Sequence, residues 1–358
     1  MNFLYLSHVP WQWIKQRPHF IAEQLSKTFN LHFTYQKIYS SKNNLTKNTV
    51  SFNLKVKEVY RIPFSRFNII KEINKIIFFV YLKISFFNTD ILWFTSPEYS
   101  KVLKHFPNTK IIYDCMDDVL EFPLIKNNLK EYKKQKELEK ELFLKSDIIF
   151  TSSKRLKTKL IERYGYKENI YVVNNALNIY DETNISNYKY ESDKVKIIYI
   201  GTISEWFDFD LIIKSLEECS NIEYLLFGPK DIEIPVNERI KYLGVIEHEK
   251  INSIMAMSDI LIMPFKLNEL ILSVDPVKAY EYISSEKVVI LPEYDETLKF
   301  KEYCYLYKDK NDFITLLKSI ITNKTLNKKI DFNKEDFIKK NSWDNRVELI
   351  NKILLEKL

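Results

Sequence analysis

Lys278 and Glu281 stand three residues apart in the run Asp275-Pro276-Val277-Lys278-Ala279-Tyr280-Glu281-Tyr282-Ile283. On a helix that begins here, this spacing puts both side chains on one side. A helix start attracts anions through its free N–H groups and its dipole, and a lysine in the first turn adds a full positive charge. That combination suits a diphosphate. A carboxylate one turn further in is acceptor-only and suits the hydroxyls of a ribose or a sugar. The plain alternative is an amphipathic helix whose polar side carries both residues without chemistry.

The elements around this run decide between the two. Residues 195–208 (VKIIYIGTISEWFD) read as a buried-type strand, a glycine turn and a helix starting near Asp208 and Asp210. Residues 224–229 (YLLFGP), 240–245 (IKYLGV), 260–265 (ILIMPF) and 288–292 (VVILP) are short apolar runs stopped by Gly or Pro, with helical lengths between several of them. This alternation predicts a parallel sheet covered by helices, with ligands at the carboxyl ends of its strands. The chain holds only four glycines, Gly165, Gly201, Gly228 and Gly244. No G-x-G-x-x-G or P-loop pattern exists, so dinucleotide and ATP-phosphate cradles are poor candidates. Three of the four glycines close strands of the second half, where either a ligand approaches the backbone or the turns are tight.

In this order, Gly201-Thr202-Ile203-Ser204, Phe227-Gly228-Pro229, Tyr242-Leu243-Gly244, Met263-Pro264-Phe265 and Pro276-Val277-Lys278 to Glu281-Tyr282 resemble the nucleotide-sugar half of a GT-B fold glycosyltransferase. Upstream, residues 11–21 (WQWIKQRPHFI), Tyr113-Asp114-Cys115-Met116-Asp117-Asp118 with Phe122, and residues 146–153 (SDIIFTSS) are similar to the acceptor half of bacterial enzymes that build capsule, teichuronic acid and O-antigen polysaccharides. The resemblance spans nearly the whole chain. It implies an α/β protein of GT-B type, with two Rossmann-like domains facing each other across a cleft. An acceptor domain (1–178) and a nucleotide-sugar domain (179–340) are expected, with a last helix (341–358) returning to the first. A chain of 358 residues exceeds what one core supports, which agrees with two domains. The implied donor is a nucleoside-diphosphate sugar, a UDP-sugar, and the implied acceptor is lipid-linked or an oligosaccharide. Rival readings are a GT-B nucleotide-sugar epimerase, which needs no acceptor, and a catalytically silent GT-B protein that binds a partner enzyme.

Glycosyl transfer needs a positive setting for the departing diphosphate, a hydrogen-bonding clamp on the sugar and a base for the acceptor hydroxyl. Lys278 with the turn Gly201, Thr202 and Ser204 is the diphosphate candidate, Gly228 lies beside it, and the base is expected near Gly244 and Val245. By resemblance Glu281 contacts the ribose. Many retaining relatives carry another glutamate eight positions earlier; here that position is Ser273, with Glu269 or Asp275 as substitutes from the same loop. Trp206 stands where relatives have Lys-Gly, and it either lines the sugar pocket or packs between domains. In the first half, Arg17 and His19 follow the first strand beside Pro18 and are expected to face the cleft with Asp114. His19 is a general base, a phosphate donor or a helix cap. Asp117 or Asp118 orients or deprotonates the acceptor, or else caps the next helix. No cofactor is expected beyond the donor substrate. No metal is expected either, on the reading that the chain has neither an Asp-x-Asp pair nor a His or Cys cluster of ligand spacing.

Charge divides the chain. Residues 1–178 hold 29 Lys and Arg against 16 Asp and Glu, a net of +13, and the remainder holds 25 against 32, a net of −7. The basic half suits an anionic bilayer surface, where each nearby cation adds about 1 kcal/mol. Residues 67–87, rich in Ile and Phe but broken by Lys71, Glu72, Lys75 and Lys83, are no membrane span. They read as an amphipathic helix that docks on a bilayer or packs on the sheet. Nucleic acid is excluded as a partner by the acidic half and the missing recognition motifs. No signal peptide is visible, and Cys115, Cys219 and Cys304 fit no disulfide framework, so the expected place is the cytoplasm, on or near the inner face of the membrane. A polar hinge is expected over 178–193, and Ser342 is expected to cap the final helix.

Overall fold

The structure is a computed structural model that describes residues 1–13, 15–38, 53–64, 67–177, 190–247, 250–322 and 332–358. The chain divides into two compact units, Met1–Asn174 with Arg346–Leu358, and Asn175–Asn345. Most of the expected hinge, 178–189, lies outside the described residues.

The strands of the first unit are β1 (Asn2–Leu6), β2 (Asn30–Ile38), β3 (Leu54–Arg61), β4 (Ile91–Phe94), β5 (Lys110–Cys115), β6 (Ile148–Thr151) and β7 (Ile170–Val172). They form one sheet in the order β3-β2-β1-β4-β5-β6-β7, with every neighbouring pair parallel. The helices between them are α1 (Arg17–Leu25), α2 (Asn68–Ser85), α3 (Pro123–Lys126), α4 (Leu129–Lys145) and α5 (Lys154–Tyr164). The second unit has β8 (Val195–Ile200), β9 (Ile222–Phe227), β10 (Ile240–Gly244), β11 (Ile260–Ile262), β12 (Val288–Pro292) and β13 (Tyr305–Tyr307). Its sheet is also all parallel, in the order β10-β9-β8-β11-β12-β13. Its helices are α6 (Phe209–Glu218), α7 (Ile251–Met257), α8 (Val277–Ser284), α9 (Lys310–Thr322) and α10 (Lys334–Lys340), and α11 (Trp343–Lys357) runs on into the first unit.

These strands are continuous apolar runs because a parallel sheet is covered on both faces. Every residue of β4, β6, β9 and β12 is buried. In the first unit Tyr5 stacks between Phe33 and Trp93, each at 5.3 Å, and Trp93 stacks on Phe150 at 5.5 Å. Helix starts carry the expected caps: Asn128 accepts from Glu131 N–H, Ser153 from Leu156 N–H, Asp208 from Leu211 N–H and Ser342 from Asn345 N–H. α1 ends at Leu25, because Thr28 and Phe29 turn back onto the Leu25 carbonyl so that Asn30 can pair with Asn2.

The chain order reverses in each sheet between adjacent strands, at β1 and β4 in one and β8 and β11 in the other. Ligands of open α/β sheets bind outside the carboxyl ends at such points. In the second unit the loops leaving those two strands touch there, with Asp208 N–H bonded to the Pro264 carbonyl at 2.8 Å and Phe207 bridged to Phe265.

Candidate functional site

The candidates of the second unit gather at this edge. β8, β9 and β10 end in turn on Gly201, Gly228 and Gly244. Gly201 N–H bonds the Phe227 carbonyl at 2.9 Å, and Gly228 N–H bonds the Gly244 carbonyl at 2.8 Å. Gly228 has φ +129°, and a Cβ built there would overlap the Gly201 carbonyl. Two backbones therefore touch where any side chain would part them. Gly244 also has positive φ, at +81°, and leads to the exposed Val245. Thr202 is exposed, and its carbonyl accepts from Tyr199 OH at 2.8 Å. Ser204 is buried and gives its hydroxyl to Asp231 at 2.8 Å. Trp206 is half-buried, its carbonyl accepting from Lys266 N–H.

α8 is joined to this edge by Tyr282, a residue that the sequence reading passed over. Its phenol oxygen accepts from Ile200 N–H at 2.8 Å and donates to the Ile200 carbonyl at 3.3 Å, so the helix is bonded to the residue before Gly201. Lys278 Nζ lies 2.5 Å from Glu281 Oε2. The two do share one side of the helix, with the lysine partly exposed and the carboxylate 5% exposed. The loop before α8 is fixed by its own polar groups. Asn268 accepts from Ile271 N–H, and the buried Ser273 gives its hydroxyl to the Glu269 carbonyl at 3.0 Å. Asp275, expected as a substitute at the sugar, is 1% exposed. It is bonded by Asn175 N–H at 2.5 Å, Tyr280 OH at 3.2 Å and Lys299. Burial makes it an anchor for the start of α8. Glu269 remains exposed on the loop. Contrary to the expectation of no Asp-x-Asp pair, Asp208 and Asp210 form one, but Asp208 is used as the cap of α6 and both lie near Lys310, at 3.6 and 3.3 Å.

In the first unit most of the expected cleft residues are buried and committed to partners. Arg17 opens α1 and gives two hydrogen bonds to Asp114 Oδ1, from Nε at 3.0 Å and Nη2 at 2.8 Å, and a third from Nη1 to the Val173 carbonyl at 2.7 Å. This pair, 4% and 0% exposed, ties α1 to the carboxyl ends of β5 and β7 and is closed off from solvent. His19 likewise serves as a cap. Its Nδ1 accepts from Gln16 N–H and its Nε2 faces the Pro10 carbonyl, both at 3.0 Å, which puts the proton on Nε2 and leaves no lone pair to act as base. Burial lowers its pKa and keeps it neutral. Asp118 neither caps nor faces solvent. Its Oδ2 accepts from Arg163 at 2.7 Å and Lys159 at 3.1 Å, and Arg163 also lies 3.6 Å from buried Glu139. Cys115 is buried, which pushes its thiol well up and agrees with an inert strand residue.

Asp117 is different. It is exposed, yet it sits closely among protein groups, and desolvation lifts its pKa from 3.8 to about 6, with Arg17 opposing and Asp118 and Asp114 adding to the rise. Among the described residues, no group of three or more His, Cys, Asp or Glu is placed to hold a metal ion.

No family model matches the chain. A stretch of 254 residues, 64% of the chain, is 24% identical to TuaH of Bacillus subtilis (strain 168), whose name provisionally assigns it as a teichuronic acid biosynthesis glycosyltransferase. The match spans 63% of that relative's length. Among solved structures, sucrose-phosphate synthase from Thermosynechococcus elongatus superposes with a TM-score of 0.74 at 11% identity, covering 99% of this chain and 98% of the other. Anabaena HepE in complex with UDP-glucose gives 0.67 at 12% identity over 99% and 100%. An E. coli trehalose-6-phosphate structure bound with UDP-2-fluoro glucose gives 0.69 at 11% over 99% of each.

The two aspartates after β5 should separate in experiment. Asp118→Ala removes the buried carboxylate that Lys159 and Arg163 share and should cost about 3 to 5 kcal/mol in urea unfolding. Asp117→Asn should instead change the pH profile of stability. The folded wild type holds a proton that the unfolded chain releases near 3.8, so its stability falls as pH rises from there to about 6. The variant lacks that fall, and parallel profiles for the two proteins would refute the shift. At the identities found, what is shared with the solved structures is architecture: the chain has the GT-B glycosyltransferase fold.

Proposed function

We propose that this chain is a glycosyltransferase that moves a sugar from a nucleoside-diphosphate sugar, a UDP-sugar, to a lipid-linked or oligosaccharide acceptor in cell-surface polysaccharide synthesis. The observation that carries the reading is the Lys278–Glu281 pair in the first turns of α8, bonded through Tyr282 to the glycine-lined end of β8. The diphosphate lies against Lys278 and the Gly201 turn, the ribose at Glu281, and the base beside Gly244 and Val245. The UDP-sugars bound in two of the similar structures, and the pathway named for TuaH, support the donor and the setting.

Asp117 is the base for the acceptor hydroxyl, since it alone of the first-unit candidates is both exposed and shifted toward neutrality. Glu269 and Trp206 contact the sugar. The leaving diphosphate is stabilised by Lys278 and backbone N–H groups, so activity needs no metal. Retention of full turnover in chelator agrees with this, and its loss with recovery in Mg²⁺ or Mn²⁺ refutes it.

α2 supports a membrane-facing acceptor. Its inward residues Phe78 and Leu82 are buried, while Ile69, Ile73, Ile76, Val80 and Ile84 form an outward apolar stripe, each at least 41% exposed. Lys71 and Lys83 flank it, on a half of net charge +13. An anionic bilayer is complementary to both. No helix of the described residues is long and apolar enough to cross a membrane.

Lys278→Ala should weaken UDP binding by about 1.5 to 3 kcal/mol in titration calorimetry. Unchanged affinity would sink the donor site. Turnover with a panel of UDP-, GDP- and dTDP-sugars distinguishes transfer from its rivals: an isomerised sugar nucleotide indicates an epimerase, and binding without turnover a silent protein. Vesicles with anionic lipid should capture the chain at low salt and release it at high salt, and Ile73→Glu with Val80→Glu should abolish capture. Equal capture by neutral vesicles would remove the electrostatic part of this reading.

A further inference from the structure

The carboxyl edge of the first unit contains a cavity of about 340 Å³ that none of the residues above explains. α2 and α4 wall it, the turn Pro97–His105 closes one side, and Gln36 and Arg61 reach it from the ends of β2 and β3. Five cations line it, Arg61, Lys71, Lys75, Lys101 and Lys134. Two carboxylates, Glu98 and Glu131, offset them in part.

The cations differ in what they are bound to. Lys75 is paired with Glu72, and Lys134 with Glu131. Lys71 and Lys101 have no ion-pair partner among the described residues, and Arg61 Nε is buried with no hydrogen-bond partner there. Glu98 is held by Gln135 at 3.2 Å. Asn74 is buried and clamps both the N–H and the carbonyl of Ile62, at 2.7 and 2.9 Å, which fixes the chain beside Arg61. The floor is apolar, with the Phe78 and Tyr99 rings 5.7 Å apart. A buried guanidinium nitrogen without an acceptor is costly, and three unpaired cations around one hollow repel one another.

We propose that this cavity is a phosphate-binding site, taking a phosphomonoester or diphosphate group. Such a group supplies close to two negative charges and several acceptor oxygens, enough for Arg61 and both lysines, whereas one carboxylate leaves two cations unmatched. The site is independent of the donor reading, since it shares no residue with the edge of β8. The phosphate comes either from a lipid or from a soluble ligand, and the chemistry at the cavity is the same.

Titration calorimetry of the full chain with inorganic pyrophosphate tests the proposal. With UDP present at saturation to occupy the Lys278 edge, Arg61→Gln, and Lys71→Gln with Lys101→Gln, should each weaken pyrophosphate binding at least about tenfold. Both lysines are exposed, so the double variant keeps its fold and decides the matter if Arg61→Gln does not. Absence of pyrophosphate binding in the wild type overturns the site. So does binding under these conditions that is unchanged in both cavity variants. Phosphatidylcholine vesicles with and without phosphatidic acid then identify the source. Capture that needs phosphatidic acid, is reversed by pyrophosphate and is lost in the double variant assigns a membrane-borne phosphate. Pyrophosphate binding without such capture assigns a soluble phosphorylated ligand.

Discussion

A parallel sheet is covered on both faces, and that constraint governs where this chain puts its charge. Inside either unit an ionised group survives only with a partner in bonding range. Arg17 and Asp114 are one solution, and Asp118 with Lys159 and Arg163 is another. Asp275 with Asn175, Tyr280 and Lys299 is the third. Each locks a helix or loop to the carboxyl edge of a sheet. The charged groups that reach the solvent-facing side of those edges are then few, and they are the ones with chemistry available to them: Asp117, Glu269, Lys278 and the cations around Arg61.

The glycine ends of β8 and β9 follow from the same geometry. With helices packed on both faces, the sheet can approach a ligand only at its rim, and Gly228 lets the rim close until backbone meets backbone. Tyr282 then carries the rim to α8 by satisfying both polar groups of Ile200. One phenol thus sets the distance between a helix start and a strand end.

The alternation of apolar runs with Gly or Pro stops made both parallel sheets legible, because buried strands are continuous and their breaks are chemically distinct. The Lys278 and Glu281 pairing was legible for a similar reason: helical spacing fixes neighbours within a turn. The roles of Arg17, His19, Asp114 and Asp118 were not. Those of Arg17, Asp114 and Asp118 are decided by partners far along the chain, Asp114 for Arg17 and Arg163 for Asp118, and no local pattern encodes a contact across about a hundred or about forty residues of sequence. His19 carried the one local clue, since Gln16 lies three residues before it in capping position. The cavity at Arg61 left no signal, because its five cations come from four separate segments and each alone reads as a solvated surface charge.

The pairing of Lys278 with Glu281 also sets the reach of that edge. A lone ammonium draws anions from afar, but a cation 2.5 Å from a carboxylate is a dipole, and its potential dies away much faster with distance. The half that carries this pair has a net charge of −7 and adds no long-range pull of its own on an anion. Discrimination is therefore exerted at contact range. A bulky polyanion gains nothing by drifting near, whereas a small ligand that offers an acceptor to the lysine and a hydroxyl to the glutamate is met by both at once. Selectivity here is a matter of fit before it is a matter of charge.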